Sequence, residues 1–231
     1  MARLPRMPSK RTYGDPCGIA RALDLVGERW ALLVVRELVL GPKRFTDLRA
    51  GLQHLSPDVL AQRLRGLESA GIVRRRTLPP PAASRVYELT DWGRELEPVV
   101  LALGRWGSRA PFPPGDAQLG IDAVVLALRT LFDPRAADGL RASYELRLGE
   151  HRFHALVAGG RLELARASAE HPDAIIETDP ATLAALLWQD RGLADAARTG
   201  AIRIDGNRAV VERFLELFPP PEPAAAATAG P

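Results

Sequence analysis

The sequence predicts a mainly α chain whose second part is α+β, and three observations carry the prediction. Up to about residue 70, apolar residues recur at helical spacing. From Ser143 to Ala165 they fall into short runs of β type, two of them cleanly alternating. Between the two regimes lies Ala110-Pro-Phe-Pro-Pro-Gly-Asp-Ala-Gln-Leu-Gly120, which no helix or strand tolerates and which marks the domain boundary. The domains expected are a basic arm (1–12), a first domain (13–109), a linker (110–120), a second domain (121–218) and a disordered Pro/Ala tail (219–231).

Taken in order, Asp15-Pro16 opens a helix with Ile19, Leu23 and Val26 that ends near Gly27. Trp30, Leu33, Val34 and Leu38 continue helically until Gly41-Pro42, and Phe45, Leu48 and Leu52 make a short third helix. Ser56-Pro57 starts a fourth: the serine hydroxyl accepts from a first-turn N–H, and proline there loses no hydrogen bond. This helix carries Leu60, Leu64 and Leu67 on one face and ends at Gly71. Two β runs, Ile72–Thr77 and Arg85–Leu89, flank a proline-rich loop. Thr90 then caps a long helix to Gly107, with a kink expected at Pro98. In the second half, a helix around Val124–Leu131 precedes strands Ser143–Leu148, Arg152–Val157, Arg161–Ala165 and Ala174–Thr178, with a hairpin at Gly159-Gly160. A helix from Asp179-Pro180, a strand at Ala201–Ile204 and a helix with Val210, Val211, Phe214 and Leu217 close the chain.

Charge separates the halves. Residues 1–110 hold 19 basic and 11 acidic residues, a net +8; residues 111–231 hold 12 and 17, a net −5. The first half is suited to a polyanion. A single cysteine excludes an intramolecular disulfide framework and fits a reducing compartment. No run of about 18 apolar residues occurs, so no membrane span is expected and a cytoplasmic location is. No cofactor loop, metal-ligand spacing or catalytic set is found, so the chain does not read as an enzyme. His151 and His154 fall on opposite strand faces, and Glu145, Glu163 and Glu177 read as solvated.

Helix, turn, helix and basic hairpin form the order of a winged helix-turn-helix. A helix fits the major groove of duplex DNA, where base edges carry a readable code. With its leucines packed inward, the helix from Pro57 presents Asp58, Ala61, Gln62, Arg65 and Ser69; Gln62 can pair adenine and Arg65 guanine. Arg63 flanks this face toward a phosphate, and the amides at Ser56 favour a phosphate as well. On the hairpin, Arg74 and Arg76 share a face, Arg75 points away, and Arg85 lies across the loop. Lys43 and Arg44 are further phosphate candidates. The competing reading is a core helix beside a solvated arginine run, in a lipid- or small-molecule-binding protein whose winged helix mediates protein contacts. The basic hairpin and the Ser-Pro start speak for DNA.

Asp15-Pro-Cys17, Gly27-Glu-Arg-Trp30, Gly41-Pro-Lys-Arg-Phe45, Leu60-Ala-Gln-Arg-Leu64, Gly71-Ile-Val73 and Tyr87-Glu-Leu-Thr90 resemble the HxlR-type winged helix regulators over about 13–107. The resemblance implies homodimers on inverted-repeat operators, joined through the terminal helices. Independently, the stripe Leu96, Val99, Val100, Leu103 and Trp106 exceeds what a small helical core needs and is an interface candidate. Cys17 lies in the first turn of a helix, where amides favour a thiolate. It is either a redox sensor, as in some members of the family it resembles, or a small residue packed between helices, which the nearby Asp15 favours.

The second domain, through Gly200-Ala-Ile-Arg-Ile-Asp-Gly-Asn207 and the helix after it, resembles the sterol-carrier-protein-type fold. That implies an apolar cavity, in which a regulator would hold a hydrophobic small-molecule effector. The function expected is a ligand-responsive transcriptional regulator.

Overall fold

The computed structural model describes residues 12–80, 83–111 and 119–224. Most of the arm, the linker and the end of the tail lie outside them. Packing divides the chain into two units: residues 1–38 with 42–94, and residues 39–41 with 95–231.

The first unit is built from α1 (Gly18–Val26), α2 (Ala31–Val39), α3 (Phe45–Gly51), α4 (Pro57–Ser69), the hairpin β1 (Val73–Thr77) and β2 (Arg85–Leu89), and the single turn α5 (Asp91–Arg94). Its core is aliphatic: Val34, Val35, Leu38, Leu48, Leu60, Leu64 and Leu67 are buried. Each such side chain removed from water contributes about 1.5–3 kcal/mol. The Ser56 hydroxyl accepts from Val59 N–H at 3.4 Å, with Pro57 in the first turn. β1 and β2 pair antiparallel from Val73↔Leu89 to Thr77↔Arg85.

The single long helix expected from Thr90 is two. α5 stops at Arg94, and α6 (Glu97–Gly107) begins with Pro98 in its first turn. A proline lacks the N–H that a continuing helix needs but costs nothing where first-turn donors have no partner. The packing boundary therefore falls at 94/95, upstream of the proline-rich stretch. α6 lies against α7 (Ile121–Leu131): Glu97 Oε1 forms an ion pair with Arg129 Nη2 at 2.7 Å, and Gly104 meets the Thr130 side chain.

The second unit adds a five-stranded sheet, β3 (Ala142–Leu148), β4 (His151–Ala158), β5 (Arg161–Ala165), β6 (Ala174–Thr178) and β7 (Ile202–Gly206), in the order β5-β4-β3-β6-β7. β3 and β6 pair parallel, and the other neighbouring strands of this sheet pair antiparallel. Gly159 and Gly160 both take positive φ, 56° and 69°, as the tight β4–β5 turn requires. α8 (Pro180–Trp188), α9 (Leu193–Arg198) and α10 (Arg208–Leu215) complete the unit. α9 escaped the sequence because its six residues bury only Ala196 and show no apolar period. The core is mostly aliphatic and contains a cluster of rings in tilted or edge-on contact. Ring centroids are 4.6 Å apart for Tyr144 and Phe214, 5.0 Å for Phe214 and Phe218, and 6.1 Å for Phe218 and Phe132. Burial pushes the Tyr144 phenol up to about 12, with Asp173 adding to the rise and Arg213 opposing it.

Residues 219–224 are not a free tail: Arg109 Nε donates to the Glu222 carbonyl at 3.1 Å, and Ala224 N–H donates to the Arg109 carbonyl at 2.9 Å. Residues beyond 224 lie outside the described ones. Glu145, expected in water, is buried. It accepts from Arg147 Nε at 2.6 Å and Ala169 N–H at 2.9 Å. Burial pushes its carboxyl up, but these bonds and the charges of Arg147 and Arg152 outweigh burial, and the group lies below its ordinary value. Asp179, capping α8, is lowered in the same way: burial raises it, and bonds from the Thr182 hydroxyl and from backbone N–H groups of the first turn prevail.

Both carboxyls thus ionise more readily in the folded chain than in the unfolded one. The stability they lend is complete above the ordinary values of 4.5 and 3.8 and is lost as pH falls through the lowered folded values. The urea midpoint of the second unit should be flat near neutrality and fall below about pH 4.5. Glu145→Gln should shrink that fall, and a midpoint that ignores acid would contradict this account.

Candidate nucleic-acid interface

α4 owes its two-faced character to leucines at i, i+4 and i+7. Leu60, Leu64 and Leu67 are fully buried, which forces the intervening residues outward. Ser56, Pro57, Asp58, Gln62, Arg65 and Ser69 are exposed, while Ala61 is half-buried. Gln62 and Arg65, the two side chains able to read base edges bidentately, therefore stand on the solvent side of one helix.

Arg63 does not join them. It lies 100° around the helix from Gln62, and its Nη1 sits 3.1 Å from Glu28 Oε2. Only 15% of its side chain is exposed. The phosphate role expected of it gives way to an ion pair joining the turn before α2 to α4.

Lys43 is turned inward as well. Its Nζ lies 2.5 Å from Glu37 Oε2, and Glu37 on α2 is only 1% exposed. Arg36 holds the other carboxylate oxygen at 2.7 Å, and Gly51 of α3 presses so close to the carboxylate that no Cβ fits there. Lys43 also exchanges backbone hydrogen bonds with Tyr87 at 2.9 and 2.8 Å. Its charge is engaged within the unit by Glu37 rather than pointing outward as the sequence predicts. The buried Glu37 escaped sequence reading because Arg36-Glu37 looks like any solvated helical pair. Arg44 remains exposed, and its N–H donates to the Asp47 carboxylate at 3.0 Å, closing the first turn of α3.

The hairpin alternates as its spacing predicts. Arg74 and Arg76 share a face with Glu88: Arg74 Nε is 2.7 Å from Oε1 and Arg76 Nε 3.3 Å from Oε2. Arg75, on the opposite face, pairs with Glu68 of α4 at 2.8 Å and lies 5.3 Å from the Tyr87 ring centroid. It braces the hairpin against α4, so the angle between the two is set by the chain itself. Arg85 is exposed at the end of β2. The loop tip at 81–82 lies outside the described residues.

The proposed dimer stripe divides. Leu96 and Val100 are half-buried, and Leu96 is the N-cap of α6 rather than part of its interior. Val99, Leu103 and Trp106 are 52%, 48% and 74% exposed. They lie on the side of α6 away from Glu97 and Gly104, the residues that meet α7. Within the first unit, Ile19 and Leu23 of α1 are exposed too.

Cys17 is exposed at the N-cap of α1, not packed between helices, and its N–H donates to the Asp15 carboxylate at 2.8 Å. Among the described residues no three His, Cys, Asp or Glu side chains are placed to hold a metal ion, and no helix is long and apolar enough to cross a membrane.

Comparison with known proteins agrees with this geometry. Residues 25–111 match the HxlR-like helix-turn-helix family, and residues 118–224 match the alkyl sulfatase C-terminal family. The second match gives that region a family of its own, one named for alkyl sulfatases. YvaP of Bacillus subtilis, an uncharacterized HTH-type transcriptional regulator, is 36% identical over 88 residues, 38% of this chain and 82% of that one. YodB of the same organism, an HTH-type transcriptional regulator, is 36% identical over 95 residues, 41% of this chain and 84% of that one. Among solved structures, the oxidized form of the redox regulator HypR shares 33% identity over 42% of this chain and 100% of that chain, with a TM-score of 0.38. With this family match and a relative 36% identical over 82% of its own length, the chain belongs to the HxlR-like helix-turn-helix family of DNA-binding transcriptional regulators.

Proposed function

We propose that the protein acts as a homodimer on an inverted-repeat operator, with α4 in the major groove and the hairpin on the sugar–phosphate backbone. The observation that carries the proposal is the exposure of Gln62 and Arg65 above a fully buried leucine face. Arg65 pairs a guanine and Gln62 an adenine; the Ser56 turn, Arg44, Arg74, Arg76 and Arg85 supply backbone contacts. Two-fold symmetry sets two copies of α4 roughly 34 Å apart, one turn of duplex. Subunits join through the exposed stripe of α6.

Arg65→Ala should weaken operator binding by about 1–3 kcal/mol and relax base preference at one position of each half-site. Fluorescence anisotropy on operator and random duplexes reads both. Equal losses on the two would reduce Arg65 to a phosphate contact and remove the base-reading role.

The second unit is the proposed effector domain, of sterol-carrier-like build, for a hydrophobic small molecule. Support comes from the match to a family named for the C-terminal part of alkyl sulfatases, enzymes named for substrates with an apolar chain, and from the apolar core around Tyr144. With Phe132, Tyr144, Phe214 and Phe218 in ring contact, such a molecule enters by displacing rings. Native mass spectrometry of the purified protein, with and without added alkyl sulfate, reads the binding directly. Cys17 remains the candidate redox switch, supported by its exposure at a helix start.

A further inference from the structure

We propose that Glu88 is a positioning residue of the hairpin: its buried carboxylate holds Arg74 and Arg76 ready for the sugar–phosphate backbone and cancels one of their two charges, which weakens the grip on random DNA more than on the operator. The proposal rests on the reading of the hairpin as a DNA contact.

The geometry is specific. Glu88 stands directly across from Arg74 in the β1–β2 register and is 4% exposed, while both arginines are about half exposed. Each arginine approaches a different carboxylate oxygen, and each does so through Nε. A guanidinium engaged at Nε retains four N–H donors on its terminal nitrogens, enough for a bidentate phosphate contact. The carboxylate therefore orients the Arg74 fork by a hydrogen bond and draws the Arg76 fork close by charge, consuming neither. Two long side chains held in this way have less rotamer freedom left to lose on binding.

The charge balance gives the consequence. Arginine is always protonated, so this face of the hairpin carries two positive charges and one negative charge, a net of one. Arg75, on the other face, is already engaged with Glu68. Binding to random sequence lives on phosphate neutralisation, and its salt slope grows by about 0.9 per phosphate neutralised. Operator binding adds base contacts that charge does not supply. A carboxylate built into the hairpin thus lowers the first more than the second.

The test is Glu88→Gln, which keeps the side chain's size and removes its charge. On a random duplex, the slope of log Kobs against log salt should steepen by about one per subunit, and the operator-to-random affinity ratio should fall several-fold. An unchanged slope and ratio overturn the proposal. The double variant R74Q/E88Q returns the face to one net charge and should restore the wild-type slope; a slope that stays steep also overturns it. R74Q/R76Q separates the two levels. If that pair leaves the slope unaltered, the hairpin does not touch DNA and the reading beneath the proposal fails. If it flattens the slope while Glu88→Gln is silent, only the role of Glu88 fails. Should Glu88→Gln not fold, the Arg74 Nε–H signal in 15N spectra of the wild-type protein gives the answer. Its persistence when duplex is added supports a carboxylate that stays engaged, and its loss on binding overturns it.

Discussion

Replacing Leu103 and Trp106 together with glutamate should yield a folded monomer whose operator affinity is lower by on the order of 10²–10⁴-fold, the gain that joining two binding modules confers. Both side chains are largely exposed, so their loss leaves a hole in neither core. The opposite side of α6 keeps the Glu97–Arg129 pair and the Gly104–Thr130 contact, so the helix should stay docked on α7. Across a two-fold axis each substitution counts twice, and four carboxylates then meet where apolar surface met. A tryptophan offers some 150–250 Å² of contact area, a sizeable share of the roughly 800 Å² that each partner of a stable interface buries. Sedimentation velocity reads the oligomer, and a thermal melt of the second unit checks the fold. A variant that stays dimeric would place the interface elsewhere and leave α6 exposed for another reason.

Lys43→Met should cost the first unit about 3 kcal/mol, because removing one partner from a buried ion pair leaves the other charge without compensation. The Glu37 carboxylate is 1% exposed, and Gly51 packs against it, which leaves little room for water to replace the ammonium. Arg36 still holds Oε1 at 2.7 Å, which keeps the loss at the lower end of the range for such pairs. For a unit of this size the melting temperature should drop on the order of 10–20 °C. Operator affinity measured well below the melt should change little, since the ammonium is engaged with Glu37. A large fall in affinity with an unchanged melt would restore the phosphate contact that the sequence suggested and reject the structural role.

Much of the architecture was legible because it is periodic. The burial of Leu60, Leu64 and Leu67, the exposure of Gln62 and Arg65, and the alternation of Arg74, Arg75 and Arg76 all follow from how a helix or strand turns its side chains. The Ser56 cap and the Gly159-Gly160 turn follow from the backbone those residues allow. The stop at Pro98 could have been placed from the same rules: a proline in a helical pattern either bends a continuing helix or starts a new one, and only packing of α6 on α7 selected the second.

The amino-acid order alone determined most of the elements, and which side of α4 and of the hairpin faces water, because those properties depend on neighbours within a turn or a strand; α9, the break before α6 and the burial of Glu145 were not among them. Tertiary structure decided which charges are spoken for. Glu28 reaches Arg63 across 35 residues, Glu68 reaches Arg75 from a helix to a strand, and Glu37 becomes a buried anion only once Lys43 and Gly51 close over it. A cation's partner is fixed by distance in space and by exclusion of water, and neither is encoded in the local period that a sequence displays.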